Sequence, residues 1–162
     1  MSVVFSGNEL ITIAIDIERR GISFYDVMAK STDNEIARST FENLVLMERE
    51  HLKTFQDMLA ETGAGRTGET PAPAFPDYVQ ALLDEAVFSD NLITGEIATQ
   101  ADTDVKAVEL GISAEKDSLL FYYEMKDNMP HRTVPVINRI IAEEKTHLQQ
   151  LSELKKKLAG LQ

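Results

Sequence analysis

Glu144-Lys145-Thr146-His147, at the centre of IAEEKTHLQQL (residues 141–151), decides the reading of this chain, because Glu48-Arg49-Glu50-His51 repeats its pattern inside LVLMEREHLKTF (residues 44–55). Glu and His three residues apart lie on one face of a helix about a turn apart, so a carboxylate and an imidazole can reach the same point. The repeat extends outward. Glu18 is followed six and seven residues later by Phe24-Tyr25, and Glu115 is followed at the same distances by Phe121-Tyr122. The order is Glu18, then Glu48/His51, then Glu115, then Glu144/His147, so the chain is two variations on one unit.

Helical periodicity surrounds each motif. Leu10, Ile11, Ala14, Ile15, Ile22 and Tyr25 predict a first helix from about Asn8 to Ala29, opened by the capping box Ser6-Gly-Asn-Glu9. Thr32-Asp-Asn-Glu35 repeats that capping signature, and Ile36, Phe41, Leu44, Val45, Leu52, Phe55, Met58 and Leu59 carry a second stripe towards Gly63. The Gly- and Pro-dense stretch at 61–77 excludes continuous helix. A short amphipathic helix is expected over Tyr78–Phe88, a third long helix from Asp102 or Thr103 to about Lys126, and a fourth from Thr133 to Leu158 with Pro135 in its first turn. The expected fold is all-α: a single domain over 1–162, with a hairpin at 8–62, a long crossover at 63–101 and a hairpin at 102–159, forming a four-helix bundle. A helix of about 26 residues spans roughly 40 Å, so returning the third helix parallel to the second needs a connection of this length. Such a connection also leaves open a domain-swapped arrangement between two copies.

Composition narrows the function. A net charge of -11 argues against a nucleic-acid partner, since Lys155-Lys156-Lys157 is only a short basic run on the terminal helix. The absence of cysteine removes disulfides, zinc ribbons, iron–sulfur clusters and thiol chemistry, and fits a reducing compartment. No window has membrane-spanning length and the start MSVVFSGNEL lacks a secretory pattern, so a cytoplasmic location is expected, with no membrane partner.

The glutamates at 18 and 115 break otherwise apolar stripes, Ile11, Ile15, Ile22 and Tyr25 in one helix and Val108, Ile112, Leu119 and Tyr122 in the other. A carboxylate buried there is costly unless a metal or a proton neutralises it. A lone Glu-x-x-His on a surface helix is ordinarily a solvated pair, but here two of only three histidines meet the spacing in equivalent halves of a repeat. Glu18, Glu48, His51, Glu115, Glu144 and His147 together give four carboxylates and two neutral imidazoles, a charge that two divalent cations balance. Oxygen-rich coordination with one imidazole per ion suits iron or manganese, with zinc able to substitute. Tyr25 and Tyr122 lie two turns beyond their glutamates, where each phenol either hydrogen-bonds a carboxylate of the set or serves as core aromatic. His131 sits in the turn Asn128-Met-Pro-His-Arg without a matched Glu and is read as exposed or capping. Glu50 and Glu143 adjoin the motifs and are expected to point elsewhere on their helices. Gly21 and Gly111 inside helices admit close approach of neighbours near the site.

This doubled alternation of Glu…Phe-Tyr with Glu-x-x-His, covering both hairpins, resembles the rubrerythrin and ferritin-like diiron-carboxylate group. The resemblance implies a two-iron centre with the same six residues as ligands and Glu48 and Glu144 as bridging carboxylates. It also implies redox chemistry with hydrogen peroxide or O2, a rubrerythrin-like peroxidase in oxidative-stress defence, with ferroxidase activity or iron storage as the competing reading. The chain departs from the family pattern in three places. Without cysteine it has no rubredoxin module, so electrons come from a separate donor protein; Ser118 stands where relatives carry a further Glu; and Arg49 stands where haem-binding relatives carry Met, so no haem is expected. A homodimer is the expected assembly.

Overall fold

The computed structural model describes residues 7–62, 77–86 and 103–160. Helix α1 spans Gly7–Ser31, α2 Glu35–Glu61, α3 Asp77–Asp84, α4 Asp104–Asn128 and α5 Val134–Leu158, with a single 3-10 turn at His131–Thr133 before α5. The four long helices match the expected ones to within a few residues. Ser6, the first residue of the proposed capping box on α1, lies outside the described residues, as does most of the crossover.

Two local details differ from the sequence reading. The N-cap of α2 is Asn34, not Thr32: the Asn34 side chain accepts from Ala37 N at 3.0 Å, while the Thr32 hydroxyl is used one step earlier, accepting from Asn34 N at 3.1 Å. Asn caps at least as well as Thr, and the three-residue connection leaves Thr32 to satisfy the turn itself. Helix α3 ends at Asp84 rather than reaching Phe88. Its last turn tightens as Ala86 N bonds Leu83 O, and residues from 87 lie outside the described part. At α4 the expected start holds, with the Thr103 hydroxyl accepting from Lys106 N.

Contacts across the bundle fix its topology. Gly21 of α1 lies against Glu48 of α2, and Gly111 of α4 against Leu151 of α5, and with only a few residues between Ser31 and Glu35 and between Asn128 and Val134 each hairpin is antiparallel. Tyr25 reaches Glu115 and Tyr122 reaches Glu18, which makes α1 and α4 antiparallel neighbours. His51 faces Glu144 while His147 faces Glu48, which does the same for α2 and α5. Helices α2 and α4 therefore run parallel, as a crossover connection requires. The contacts also define an internal near-two-fold relation that takes 18 to 115, 48 to 144 and 51 to 147.

The core is divided. At one end Leu10, Ile11, Phe55, Phe121, Met125, Ile137 and Ile140 pack together, with Val79 of α3 joining them. At the other end Phe24, Met28, Phe41, Leu44, Val108 and Leu154 form a second apolar cluster. Between the two lies a layer of buried charge.

Candidate metal centre

All six sequence-predicted residues meet in that layer, one from each of α1 and α4 and two from each of α2 and α5, and none is more than 4% exposed. Around His51, ligand atoms of Glu18, Glu48 and Glu144 lie within 4.8 Å of one another and of the ring; around His147, those of Glu48, Glu115 and Glu144 do the same. The two groups share Glu48 and Glu144, and these two divide their oxygens. Glu48 turns Oε2 towards His51 Nδ1 at 3.3 Å and Oε1 towards His147 Nδ1 at 3.4 Å. Glu144 turns Oε1 towards His51 Nδ1 and Oε2 towards His147 Nδ1, each at 3.1 Å. Glu18 and Glu115 stand at the two flanks, 3.7 Å from His51 Nδ1 and 3.8 Å from His147 Nδ1. The imidazoles stack with centroids 5.4 Å apart.

Both tyrosines touch the layer, and they do so crosswise. Tyr25 of α1 donates its phenol hydrogen to Glu115 of α4, and Tyr122 of α4 donates to Glu18 of α1. Each helix thus orients the glutamate of its partner. Gly111 is what lets Tyr25 in: a Cβ there would sit 3.3 Å from the tyrosine ring and 3.2 Å from Leu151 Cδ1. Gly21 is less demanding, since its Cβ would meet Glu48 at ordinary contact distance, 3.7 Å.

Burial and mutual charge govern protonation. Burial, then the charge of Glu48, raises the Glu18 carboxyl well above the usual range; burial, then Glu144 and Glu48, does the same for Glu115. Burial also opposes ionisation of Glu48 and Glu144, yet the facing histidines hold both below the ordinary value. Burial would lower the imidazoles, but their carboxylate neighbours win: His51 is raised, and His147 is raised to about 12. Both phenols are raised by burial and by the glutamate each one contacts, so they remain proton donors. Protons on the histidines and the flanking glutamates compensate the layer in the absence of cations.

The donor set fits a metal pair. Among the described residues, Glu48 Oε2 and His51 Nδ1 are buried without a hydrogen-bond partner, and both face the interior of the cluster, where a cation would satisfy them. Hard oxygens with one imidazole each side are the ligand type that iron and manganese prefer.

Sequence reasoning missed one residue. Glu143 does not point elsewhere: its Oε2 lies 2.8 Å from His51 Nε2, reaching across from α5 to α2. Nothing in the spacing of Glu143 within its own helix signals this, because it depends on the register between α2 and α5. His131 lies away from the cluster, exposed at the start of the 3-10 turn, and Arg49 and Glu50 are exposed. Ser118 donates its hydroxyl to Ala114 O at 3.1 Å, one turn beyond Glu115. With Gly21 and Ala114 it lines a small cavity on the α1/α4 side of the cluster, opposite the histidines.

Four helices in two antiparallel hairpins, parallel across the crossover, with paired Glu-x-x-His motifs turned inward, define the ferritin-like class of helical bundle. The chain belongs to the rubrerythrin family, whose model matches residues 9–155. No curated protein matches it significantly. Among solved structures it resembles a Thermotoga maritima protein provisionally described as a ferritin-like diiron-carboxylate protein, with 28% identity and a TM-score of 0.68 over 96% of this chain and 98% of that one. It shares the fold of a hypothetical protein of Pyrococcus furiosus, with 16% identity and a TM-score of 0.69 over 96% of this chain and 92% of that one. Among the described residues no helix is long and apolar enough to cross a membrane.

Proposed function

We propose that this protein is a dinuclear iron oxidoreductase that reduces hydrogen peroxide or O2, drawing electrons from a separate donor protein. The observation that carries the reading is the division of Glu48 and Glu144 between the two histidines, which is the arrangement two adjacent cations need from bridging carboxylates. Glu18, Glu48, His51 and Glu144 would hold one ion; Glu48, Glu115, Glu144 and His147 would hold the other. Once bound, a pair of iron ions supplies the electrons for reductive cleavage of an O–O bond.

The chain's own residues prepare the site for that chemistry. Tyr25 and Tyr122 fix the flanking carboxylates and keep protons on phenol oxygens beside them. The two apolar clusters exclude bulk water from above and below. A small oxidant approaches from the α1/α4 side, where Gly21, Ala114 and Ser118 leave room beside Glu18, Glu48 and Glu115. That cavity shares Ile17, Ala114 and Ser118 with a mainly apolar groove beneath Leu82 and Leu83 of α3 and its following turn, which suits a small neutral molecule.

The test begins with metal analysis of protein purified from its own source, which should give two irons per chain. Anaerobically reduced protein is then mixed with peroxide or with O2, and the faster optical change identifies the oxidant; peroxide is expected to be faster. A many-subunit cage retaining far more than two irons per chain would overturn the peroxidase reading in favour of iron storage.

A further inference from the structure

The near-two-fold relation that equates 48 with 144 and 51 with 147 also equates 47 with 143. At 143 stands Glu, whose carboxylate takes a hydrogen bond from His51 Nε2. At 47 stands Met, whose sulfur is engaged by Asn43 Nδ2 of its own helix at 3.8 Å. His147 Nε2 consequently has no hydrogen-bond partner among the described residues, although the ring is fully buried. Both imidazoles turn Nδ1 towards the cluster, His147 Nδ1 pairing with Glu144 Oε2 at 3.1 Å and His51 Nδ1 without a hydrogen-bond partner, and they differ most in what stands behind them.

A carboxylate accepting from the outer nitrogen of a metal-binding histidine fixes the tautomer that leaves the inner nitrogen free to coordinate, holds the ring in plane and makes it a stronger donor. We propose that Glu143 makes the two metal positions unequal, so that a first divalent cation binds with Glu18, Glu48, His51 and Glu144, ahead of the position formed by Glu48, Glu115, Glu144 and His147. Glu143 is a positioning residue acting through His51. The inference rests on the metal-centre reading above and adds to it an order of filling. The hydrogen bond survives in a half-exposed location, where Glu143 retains 40% of its side-chain exposure, because its partner nitrogen is buried and has no competing acceptor.

Single-position proteins isolate the effect. His147→Ala leaves the His51 position with Glu143 behind it; His51→Ala leaves the His147 position with nothing behind it. Metal-free forms are titrated with Co(II), followed by visible absorption, which reports both affinity and ligand field. The His147→Ala protein should bind its first Co(II) about 10-fold or more tightly than the His51→Ala protein. Adding Glu143→Ala should remove that advantage and change the Co(II) spectrum in the His147→Ala background, and alter neither in the His51→Ala background. Met47→Glu should strengthen the His147 position, supplying the missing acceptor. Glu50→Gln, at an exposed acid beside the motif, controls for net charge and should affect both backgrounds equally and slightly. Equal affinities in the two single-position proteins, or an equal effect of Glu143→Ala in both, would overturn the inference while leaving a metal centre in place. Co(II) binding indifferent to both histidine substitutions would overturn the metal-centre reading itself.

Discussion

The two hairpins carry the same motif, yet they are finished differently. In α1–α2 the position one turn after the flanking glutamate is Gly21, the residue before the shared glutamate is Met47, and the position one turn before the flanking glutamate is Ala14. In α4–α5 the corresponding residues are Ser118, Glu143 and Gly111. The six cluster residues are common to both halves, so the repeat preserves what any cation pair needs. Two of the differing positions lie against the six directly, Gly21 on Glu48 and Glu143 on His51, and Gly111 lies against Tyr25, which holds Glu115, so these are places where two chemically similar halves can be made to behave unequally.

The comparison breaks most completely where the halves are joined. Glu48→Ala and Glu144→Ala each remove a carboxylate that serves both halves, so either should abolish retention of both metal equivalents after chelation and reloading. Anaerobic Fe(II) at a thousandfold excess over its dissociation constant should stabilise the intact protein by about 4 kcal/mol for each ion bound. That corresponds to a rise in melting temperature of roughly 10 °C for a chain of this size. Neither variant should show the rise, and unchanged metal content in either would mean the site is wrongly assigned.

Glu18→Ala and Glu115→Ala sharpen the comparison, because each removes a carboxylate belonging to one half. Each variant should retain about one equivalent instead of two. In the metal-free state each substitution also leaves a buried phenol, Tyr122 or Tyr25, without its acceptor, so each should cost about 1–3 kcal/mol. Loss of both equivalents in either variant would show that the halves do not bind separately.

Protonation gives the next effect, and its sign follows from the shifts. The His147 value is raised from 6.5 to about 12, so its stabilising contribution is fully present below 6.5 and is lost as pH rises through 12. Glu48 is lowered from 4.5, so its contribution is present above 4.5 and is lost as pH falls through the lowered value. Between those ordinary values the metal-free ion pairs contribute in full. Cations must displace the protons on the histidines and on Glu18 and Glu115, so metal affinity should rise with pH across roughly pH 6 to 8, with more than one proton released per ion. Titration of Mn(II) in buffers of different ionisation enthalpy measures this directly; a pH-independent affinity would contradict the proposed proton inventory.

Much of this arrangement is legible in the sequence, for a physical reason. Residues three or seven apart share a helix face whatever the tertiary context, so Glu48 with His51, Glu144 with His147, and the apolar stripes containing Glu18 and Glu115 can be read from spacing alone. The long Gly- and Pro-rich stretch after Glu61 reveals the crossover, and with it the parallel placement of α2 and α4. What spacing cannot supply is the register between helices. The crosswise bonds of Tyr25 to Glu115 and Tyr122 to Glu18 depend on where α1 meets α4, and the reach of Glu143 to His51 depends on where α2 meets α5. The cap of α2 is not legible because Thr32 and Asn34 are both competent caps, and only the geometry of the three-residue turn selects between them.

The crosswise tyrosines offer a smaller, paired test. Tyr25→Phe and Tyr122→Phe each leave a buried glutamate oxygen without its donor, at a cost of about 1–3 kcal/mol in the metal-free protein by urea denaturation. The losses should add, because the two bonds lie on opposite flanks of the layer. A coupling of more than about 0.5 kcal/mol would show that the flanks communicate through the bridging carboxylates.

The smallest effect separates the halves at Gly111 and Ala14. Replacing Gly111 with Ala would gain about 1 kcal/mol of helix propensity, but the new Cβ must come within 3.2 Å of Leu151 and 3.3 Å of the Tyr25 ring. Leu151 can turn aside more readily than Tyr25, which is held by Glu115 at its hydroxyl and stacked on Phe41 at 6.2 Å. The contact should therefore cancel the propensity gain, leaving Gly111→Ala neutral to slightly destabilising. In the Tyr25→Phe background the ring is free of its hydrogen bond and can shift by a few tenths of an ångström, so the same substitution should become stabilising. A sign change between the two backgrounds would identify the tyrosine–glutamate bond as the reason α4 carries glycine at this position, while an identical effect in both would assign the constraint to Leu151.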